Sequence, residues 1–246
     1  MTKNPKIHNL QFTIHHSPFS NALLVVAKRP APGQTKTRLS PPLGPEQAAA
    51  LYECFLRDTL DLVRQVAGAQ PVIAFLPPSE ETYFTELASD FELIRQEGAD
   101  LGARLDNALT HYLQLGYQRV IIMDSDSPTL PLDCLVAAFT ALDEADVVLG
   151  PCDDGGYYLI GLTQPAPRLL REVPMSTPTV AADTLALAAE AGLRVKLLPI
   201  WYDIDNVATL NRLSAELAGA SNGVARHTRA FLAANGEVLT RIAVNL

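Results

Sequence analysis

From residue 22 onward, short apolar runs alternate with longer stretches whose apolar residues recur every three or four positions. Ala22–Ala27 (ALLVVA) is apolar, rich in β-branched residues and too short for a helix, which predicts a buried strand. A Pro-rich loop runs to Pro45, and then Ala49, Tyr52, Leu56, Leu60, Val63 and Val66 fall at helical spacing. Val72–Leu76 predicts the next strand, stopped by Pro77-Pro78. A short helix over Glu80–Ala88 and a strand over Glu92–Arg95 follow. Leu101, Leu105, Ala108 and Tyr112 mark another helix, which Asp100 is placed to cap.

The same alternation continues. Val120–Met123 (VIIM) is apolar throughout, as a central parallel strand should be. Pro131–Leu142 predicts a helix, and Asp146–Gly150 and Tyr157–Gly161 predict strands. Pro178 suits the first turn of a helix reaching Ala191. A strand over Val195–Ile200 and a helix over Asn206–Leu217 complete the series. The βαβα order predicts an α/β fold, a mostly parallel sheet with helices on both faces. No internal repeat or long linker divides it. One domain is therefore expected over residues 21–219, with an N-terminal extension at 1–20 and a C-terminal helical appendage at 220–246.

Composition narrows the function classes. The chain has 246 residues, 48% of them hydrophobic and 19% charged, which suits a globular domain with a large core. A formal net charge of −8 argues against nonspecific nucleic-acid binding, yet leaves room for a local basic pocket. No run approaches the roughly 18 apolar residues of a membrane span. The first 20 residues lack the apolar segment and cleavage site of a signal peptide. Cys54, Cys134 and Cys152 form no C-x-x-C pair and fit a reducing cytosol, so a cytoplasmic protein is expected. Nothing in the sequence fixes an oligomeric state.

In an open parallel sheet, ligands bind outside the carboxyl ends of the strands. After the first strand come Lys28, Arg29, Lys36 and Arg38, four cations within eleven residues of an acidic protein. Gly33 permits a tight backbone approach, and lysine and arginine offer a point charge and a bidentate fork to phosphate. The loop is neither a P-loop nor a G-x-G-x-x-G turn. After VIIM comes Asp124-Ser125-Asp126-Ser127-Pro128, whose carboxylates suit Mg²⁺ or Mn²⁺; an Asx turn leading into the next helix is the alternative. Asp203 and Asp205 alternate on one side of an extended segment, although Asp205 could instead cap the helix that follows. Asp153-Asp154-Gly155-Gly156-Tyr157 reads either as a bulge near a ligand or as a plain hairpin turn.

Taken in order, Lys28…Gly33-x-x-Lys36-Thr37-Arg38-Leu39, Asp124-Ser-Asp126-Ser-Pro128, Asp154-Gly-Gly-Tyr-Tyr-Leu-Ile-Gly161 and Asp203-Ile-Asp205-Asn206 resemble the GT-A, nucleotide-diphospho-sugar transferase superfamily. The likeness covers residues 22–217 and is strongest to a bacterial group of assigned glycosyltransferases, weaker to phospholactate and molybdopterin guanylyltransferases. It implies a three-layer α/β/α, Rossmann-like fold. It also implies phosphate contacts from Lys28, Lys36 and Arg38 in a loop that includes Gly33 and Thr37. Asp126 becomes the metal ligand, joined by Asp205 and Asp203, and Asp124 lies beside the nucleotide. Gly98–Arg104, with Gly102 and Arg104, resembles a stretch near the nucleotide. Asp126, Lys36 and Asp154 form the implied catalytic set, Asp154 activating or orienting an acceptor hydroxyl.

Three departures stand out. The Pro-rich loop replaces the L-x-A-G-x-G-x-R loop of nucleotidyltransferases, Asp124 stands where many relatives carry glycine, and Asn206 where threonine is common. The literal D-x-D favours a metal-dependent glycosyltransferase with a nucleotide-sugar donor and a small-molecule acceptor. The alternative is a nucleotidyltransferase that moves a nucleotide from a nucleoside triphosphate to a phosphorylated acceptor. A third is a nucleotide-binding module without turnover.

Overall fold

The computed structural model describes residues 19–41 and 43–236. Most of the expected N-terminal extension, with its three histidines, and the last ten residues of the expected C-terminal appendage lie outside the described residues. Seven strands make one sheet: β1 (Asn21–Lys28), β2 (Ala69–Leu76), β3 (Glu92–Arg95), β4 (Arg119–Met123), β5 (Val147–Pro151), β6 (Tyr157–Leu162) and β7 (Val195–Leu197). Their spatial order is β3-β2-β1-β4-β6-β5-β7. Every pairing is parallel except those of β6, which runs antiparallel to both β4 and β5. This is the mostly parallel α/β architecture that the hydrophobic pattern predicts.

Alternate residues of the central strands feed two cores, as a period of two requires. On one face Leu23, Val25, Ile73, Phe75, Ile121 and Met123 meet α1 (Pro45–Val63), α2 (Glu81–Leu87) and α4 (Leu132–Ala141) through Leu56, Leu60, Phe84, Leu135 and Ala138. On the other, Ala22, Leu24, Val72, Val120 and Ile122 meet α3 (Leu101–Gln114) through Leu105, Leu109 and Tyr112. Further along that face lie α5 (Arg168–Arg171) and α6 (Val180–Glu190). Because both faces are covered, β1 and β4 read as unbroken apolar runs. Asp100 caps α3, its Oδ1 accepting from the Ala103 amide at 2.8 Å.

A third core lies off the carboxyl edge of the sheet. There Leu51 and Phe55 of α1 pack with Leu39, Tyr202 and Ile204, and with Leu210, Leu213 and Leu217 of α7 (Val207–Gly219). The last strand is shorter than Val195–Ile200. Pairing ends at Leu197, and Pro199 has no amide proton to continue the ladder. The chain nonetheless stays extended and attached. Leu198 N donates to Leu149 O at 2.9 Å, Trp201 N to Pro151 O at 3.0 Å, and Ile204 N to Asp126 O at 3.0 Å. That last bond carries the segment across from β5 to the loop after β4, and so brings two acidic loops together.

Helix α8 (Arg226–Ala234) lies against α1. Buried Asp58 of α1 serves as its cap from outside the helix, accepting from the His227 amide at 2.9 Å and the Thr228 amide at 2.8 Å. Removing this carboxylate strands two amides at a helix start. Asp58→Ala is expected to cost about 1–2 kcal/mol and to lower Tm by roughly 2–8 °C. Amide hydrogen exchange should accelerate in residues 226–234 ahead of the sheet. Uniform acceleration would show that α8 is not held by this cap.

Candidate active site

Six of the seven strands end on one edge, and the loops carrying the expected chemistry meet there. Tyr52 of α1 fixes two of them at once. Its buried hydroxyl accepts from the Lys28 amide at 3.2 Å and bonds Ser125 Oγ at 2.9 Å, which ties the end of β1 to the loop after β4. Gln96 closes the other side, its side-chain amide donating to Ala74 O at 2.7 Å and Ala27 O at 3.3 Å. In the sequence Tyr52 is only one more apolar-face residue, and Gln96 one more polar residue after a strand.

The basic loop folds on itself before it reaches the acids. Gly33 takes φ 70° in open space, so the turn itself requires glycine there. Thr35, buried, exchanges hydrogen bonds with the backbone of Ala31, and Lys28 Nζ donates to Gln34 O at 3.1 Å. Thr37, by contrast, is exposed and opens a short 3₁₀ turn. Lys36 holds a left-handed backbone, φ 47° and ψ 41°, uncommon for a residue with a side chain. Its ammonium reaches across to Asp126 and, at 2.8 Å, to Asp205 Oδ1, with 6% of the side chain exposed. Arg38, mostly in solvent, meets Asp205 Oδ2 at 3.1 Å.

Asp126, Asp203 and Asp205 bring carboxylate oxygens within 4.8 Å of one another, and Cys152, Asp154 and Asp203 form an adjoining group within the same limit. Five acidic or thiol side chains from three loops thus converge, with Asp203 common to both groups. Burial would lower the Lys36 pKa, but the charges and hydrogen bonds of Asp126 and Asp205 outweigh it and hold the ammonium above the usual lysine range. For Asp205 burial acts upward, and Lys36 with Arg38 overcomes it, holding the carboxyl below its ordinary value. Asp203 lacks such a partner. Burial first, then the charges of Asp126 and Asp205, push it up to about 7.

Two expected nucleotide contacts have local explanations. Asp124 is committed to its own turn: Ser127 Oγ donates to it at 2.9 Å and the Asp126 amide approaches at 3.4 Å. Burial and Asp126 raise its pKa well above the carboxylate range. The Asx turn and the acidic site therefore coexist, one aspartate serving each. Gly102 lets α3 approach α5, since a Cβ there would enter the backbone of Leu170. Two turns further along the same logic, Gly155 at φ 90° faces the Pro178 carbonyl, and Asp154 Oδ1 accepts from the Gly156 amide at 2.8 Å. Arg104 differs. Its buried Nε has no hydrogen-bond partner, and no carboxylate pairs with its guanidinium among the described residues. Asn206 caps α7, leaving Asp205 free of that role.

The donor set is hard oxygen, gathered from separate loops around a resident ammonium, and this chemistry fits Mg²⁺ or Mn²⁺. Comparison with known proteins gives the same frame. A crystal structure of a Desulfovibrio desulfuricans G20 protein assigned as a nucleotide-diphospho-sugar transferase is 31% identical, with TM-score 0.85, covering 91% of this chain and 98% of that one. The chain belongs to that nucleotide-diphospho-sugar transferase family, of α/β fold. Residues 59–177 match the family described as "Uncharacterized protein conserved in bacteria (DUF2064)". A phosphoenolpyruvate guanylyltransferase of Chloroflexus aggregans (strain MD-66 / DSM 9485) is 26% identical over 188 residues, 73% of this chain and 91% of that protein. Rv0371c of Mycobacterium tuberculosis H37Rv, solved with manganese, shares the fold at TM-score 0.53 and 15% identity, covering 79% of this chain and 97% of its own. At the general level, then, the chain is a transferase of the nucleotidyl or nucleotide-sugar kind. No helix among the described residues is long and apolar enough to cross a membrane.

The Asp203 shift sets a pH dependence. Between about pH 4 and 7 the folded protein binds more protons at this group than the unfolded chain, so its contribution to stability falls as pH rises. Asp124 adds slope of the same sign, whereas the Asp205 and Lys36 contributions change outside this window. Asp203→Asn should therefore gain on the parent between pH 5 and 8, by about 1–2 kcal/mol once the group's partial exposure is allowed for. Thermal melts at both pH values measure this. An equal difference at the two would mean that Asp203 ionises normally.

Proposed function

We propose that the protein is a metal-dependent nucleotidyltransferase acting on a nucleoside triphosphate and a small anionic acceptor. The observation that carries this reading is the makeup of the acidic centre. It draws on Asp126 and on the Asp203–Asp205 pair, while Asp124 accepts from Ser127 within its own turn. The similarity to a guanylyltransferase along most of its length supports the same choice and makes GTP the first donor to try.

In this reading Asp126, Asp203 and Asp205 would hold a divalent cation, whose charge would stabilise the phosphate groups. The manganese in the structure of Rv0371c, a protein of the same fold, supports testing Mn²⁺ first. Lys28 and Arg104, which form no ion pair among the described residues, bind phosphate in this reading, with Arg38 at the rim. An oxygen of the acceptor attacks the α-phosphorus, the bond to the β-phosphate oxygen breaks, and pyrophosphate carries away the electron pair. An anionic acceptor needs no general base.

Glycosyl transfer is the second reading, favoured by the assignment of the Desulfovibrio relative as a nucleotide-diphospho-sugar transferase. The decisive assay offers GTP, ATP, CTP and UTP with phosphoenolpyruvate and other phosphorylated acids, and in parallel their diphosphate sugars, all with Mn²⁺. Pyrophosphate release that depends on the acceptor is expected. Asp126→Asn should lower it by about two orders of magnitude or more, the scale of losing a metal's charge stabilisation. Release of free sugar and nucleoside diphosphate instead would establish glycosyl transfer, and no turnover with any donor would leave a binding module.

Removing a phosphate contact should act on binding. Arg104→Ala is expected to weaken nucleoside triphosphate binding by about tenfold or more, the scale of one charge-assisted contact, and nucleoside binding far less. Titration calorimetry with both ligands checks this. Equal losses would place Arg104 at the base or in packing.

A further inference from the structure

We propose that Lys36 is the resident counter-cation of the acidic centre and exchanges with the divalent cation, its ammonium passing from Asp126 and Asp205 to the donor's phosphates. The inference rests on the metal-dependent phosphate chemistry proposed above and assigns an order to it. Metal and phosphate binding would be coupled through one side chain.

The geometry is that of a plug. The Lys36 ammonium bonds carboxylates contributed by two different loops, Asp126 after β4 and Asp205 before α7. Its side chain is 6% exposed, against 22% for Asp126 and 34% for Asp205, so it lies at the inner end of the cluster. A divalent cation on the same oxygens would sit about 2.0–2.2 Å from them and within a few ångströms of the ammonium. Two such positive charges repel strongly in a partly buried site, so the lysine must leave or the metal stays out.

The loop is built to allow the departure. Pro32, Gly33, Gln34, Thr37 and Arg38 around it are exposed, and the inner anchors, Thr35 and Leu39, flank Lys36 on either side. Its left-handed backbone is a conformation that costs a non-glycine residue energy and persists where surrounding contacts enforce it. The ion pairs with Asp126 and Asp205 are contacts of that kind. Charge arithmetic points the same way. One ammonium facing three carboxylates leaves the cluster under-neutralised, whereas a divalent cation comes closer to balance. The freed ammonium would remain on the basic loop that also carries Lys28 and Arg38, where a polyphosphate would receive it.

Two measurements test the exchange, neither of which needs turnover. The first uses the wild-type protein without nucleotide: amine acylation at Lys36 is followed by mass spectrometry with and without Mn²⁺, with exposed Lys196 as reference. Lys36 should react slowly at first and about tenfold faster with Mn²⁺, because its accessible state then dominates. Unchanged or slower labelling at saturating Mn²⁺ overturns the proposal. The second compares Mn²⁺ affinity, read from the free-ion paramagnetic signal, among Lys36→Met, Lys28→Met and Asp126→Asn. If the lysine-out state is about a tenth of the population or less, Lys36→Met binds Mn²⁺ at least about tenfold tighter than wild type. Lys28→Met, which removes an equal charge without unplugging the site, should change affinity much less. Equal gains in the two lysine variants would reduce the effect to bulk charge and overturn the exchange. Undiminished Mn²⁺ binding by Asp126→Asn would instead overturn the metal reading on which it rests.

Discussion

Three aspartates held within 4.8 Å at the edge of a sheet repel one another, and the structure rests on how that repulsion is answered. Lys36 answers most of it. By bonding Asp126 and Asp205 together it joins the basic loop, the loop after β4 and the start of α7 into one unit. A buried pair of this kind is weak evidence for stability, since removing two charges from water costs about as much as their attraction returns. Its value lies in position. The same charges that strain the folded state create a strong demand for a cation in one place.

The rest of the fold supplies rigid mounts for that place. Parallel strands β1, β2 and β4 deliver their carboxyl ends side by side, and Tyr52 and Gln96 lock the gaps between them. Antiparallel β6 has a different consequence. It sends the Asp154–Gly156 turn to the same edge, so a hairpin supplies an acid that a parallel strand would have placed elsewhere. The extended segment 198–204, outside the regular ladder but bonded to β5 and to Asp126 O, spans the remaining distance. The aspartates stand on backbone bonded on both sides, and Lys36 reaches them from a loop anchored by buried Thr35 and Leu39.

Much of this was legible in the residues. Full burial of β1 and β4 shows as unbroken apolar runs, and the helical spacing around Tyr52 and Leu105 shows as amphipathic stripes. Asp126, Asp203 and Asp205 could be grouped because each follows an apolar strand, and strand ends share an edge. What one sequence does not carry is direction and partner. Nothing in Tyr157–Gly161 says that its strand is antiparallel, because alternation is alike in both. Nothing in Lys36 distinguishes a lysine aimed at phosphate from one lodged between carboxylates, since both are exposed-looking cations in a Pro-rich loop. Likewise the D-x-D spells two acids at a site, while the turn geometry spends Asp124 on Ser127 and leaves Asp126 alone.

That division of labour bears on the choice between the two transferase chemistries. Here the two carboxyls have different partners: Asp124 accepts from Ser127 within its own turn, whereas Asp126 meets the Lys36 ammonium. The acids that meet the ammonium, Asp126 and Asp205, come from the loop after β4 and from the approach to α7. An ion held there would face the basic loop, with its Lys28 and Arg38. Arg29 of that loop pairs with Glu80, which leaves Lys28, Lys36 and Arg38 to face the phosphates. Those three cations suit the longer charged tail of a triphosphate.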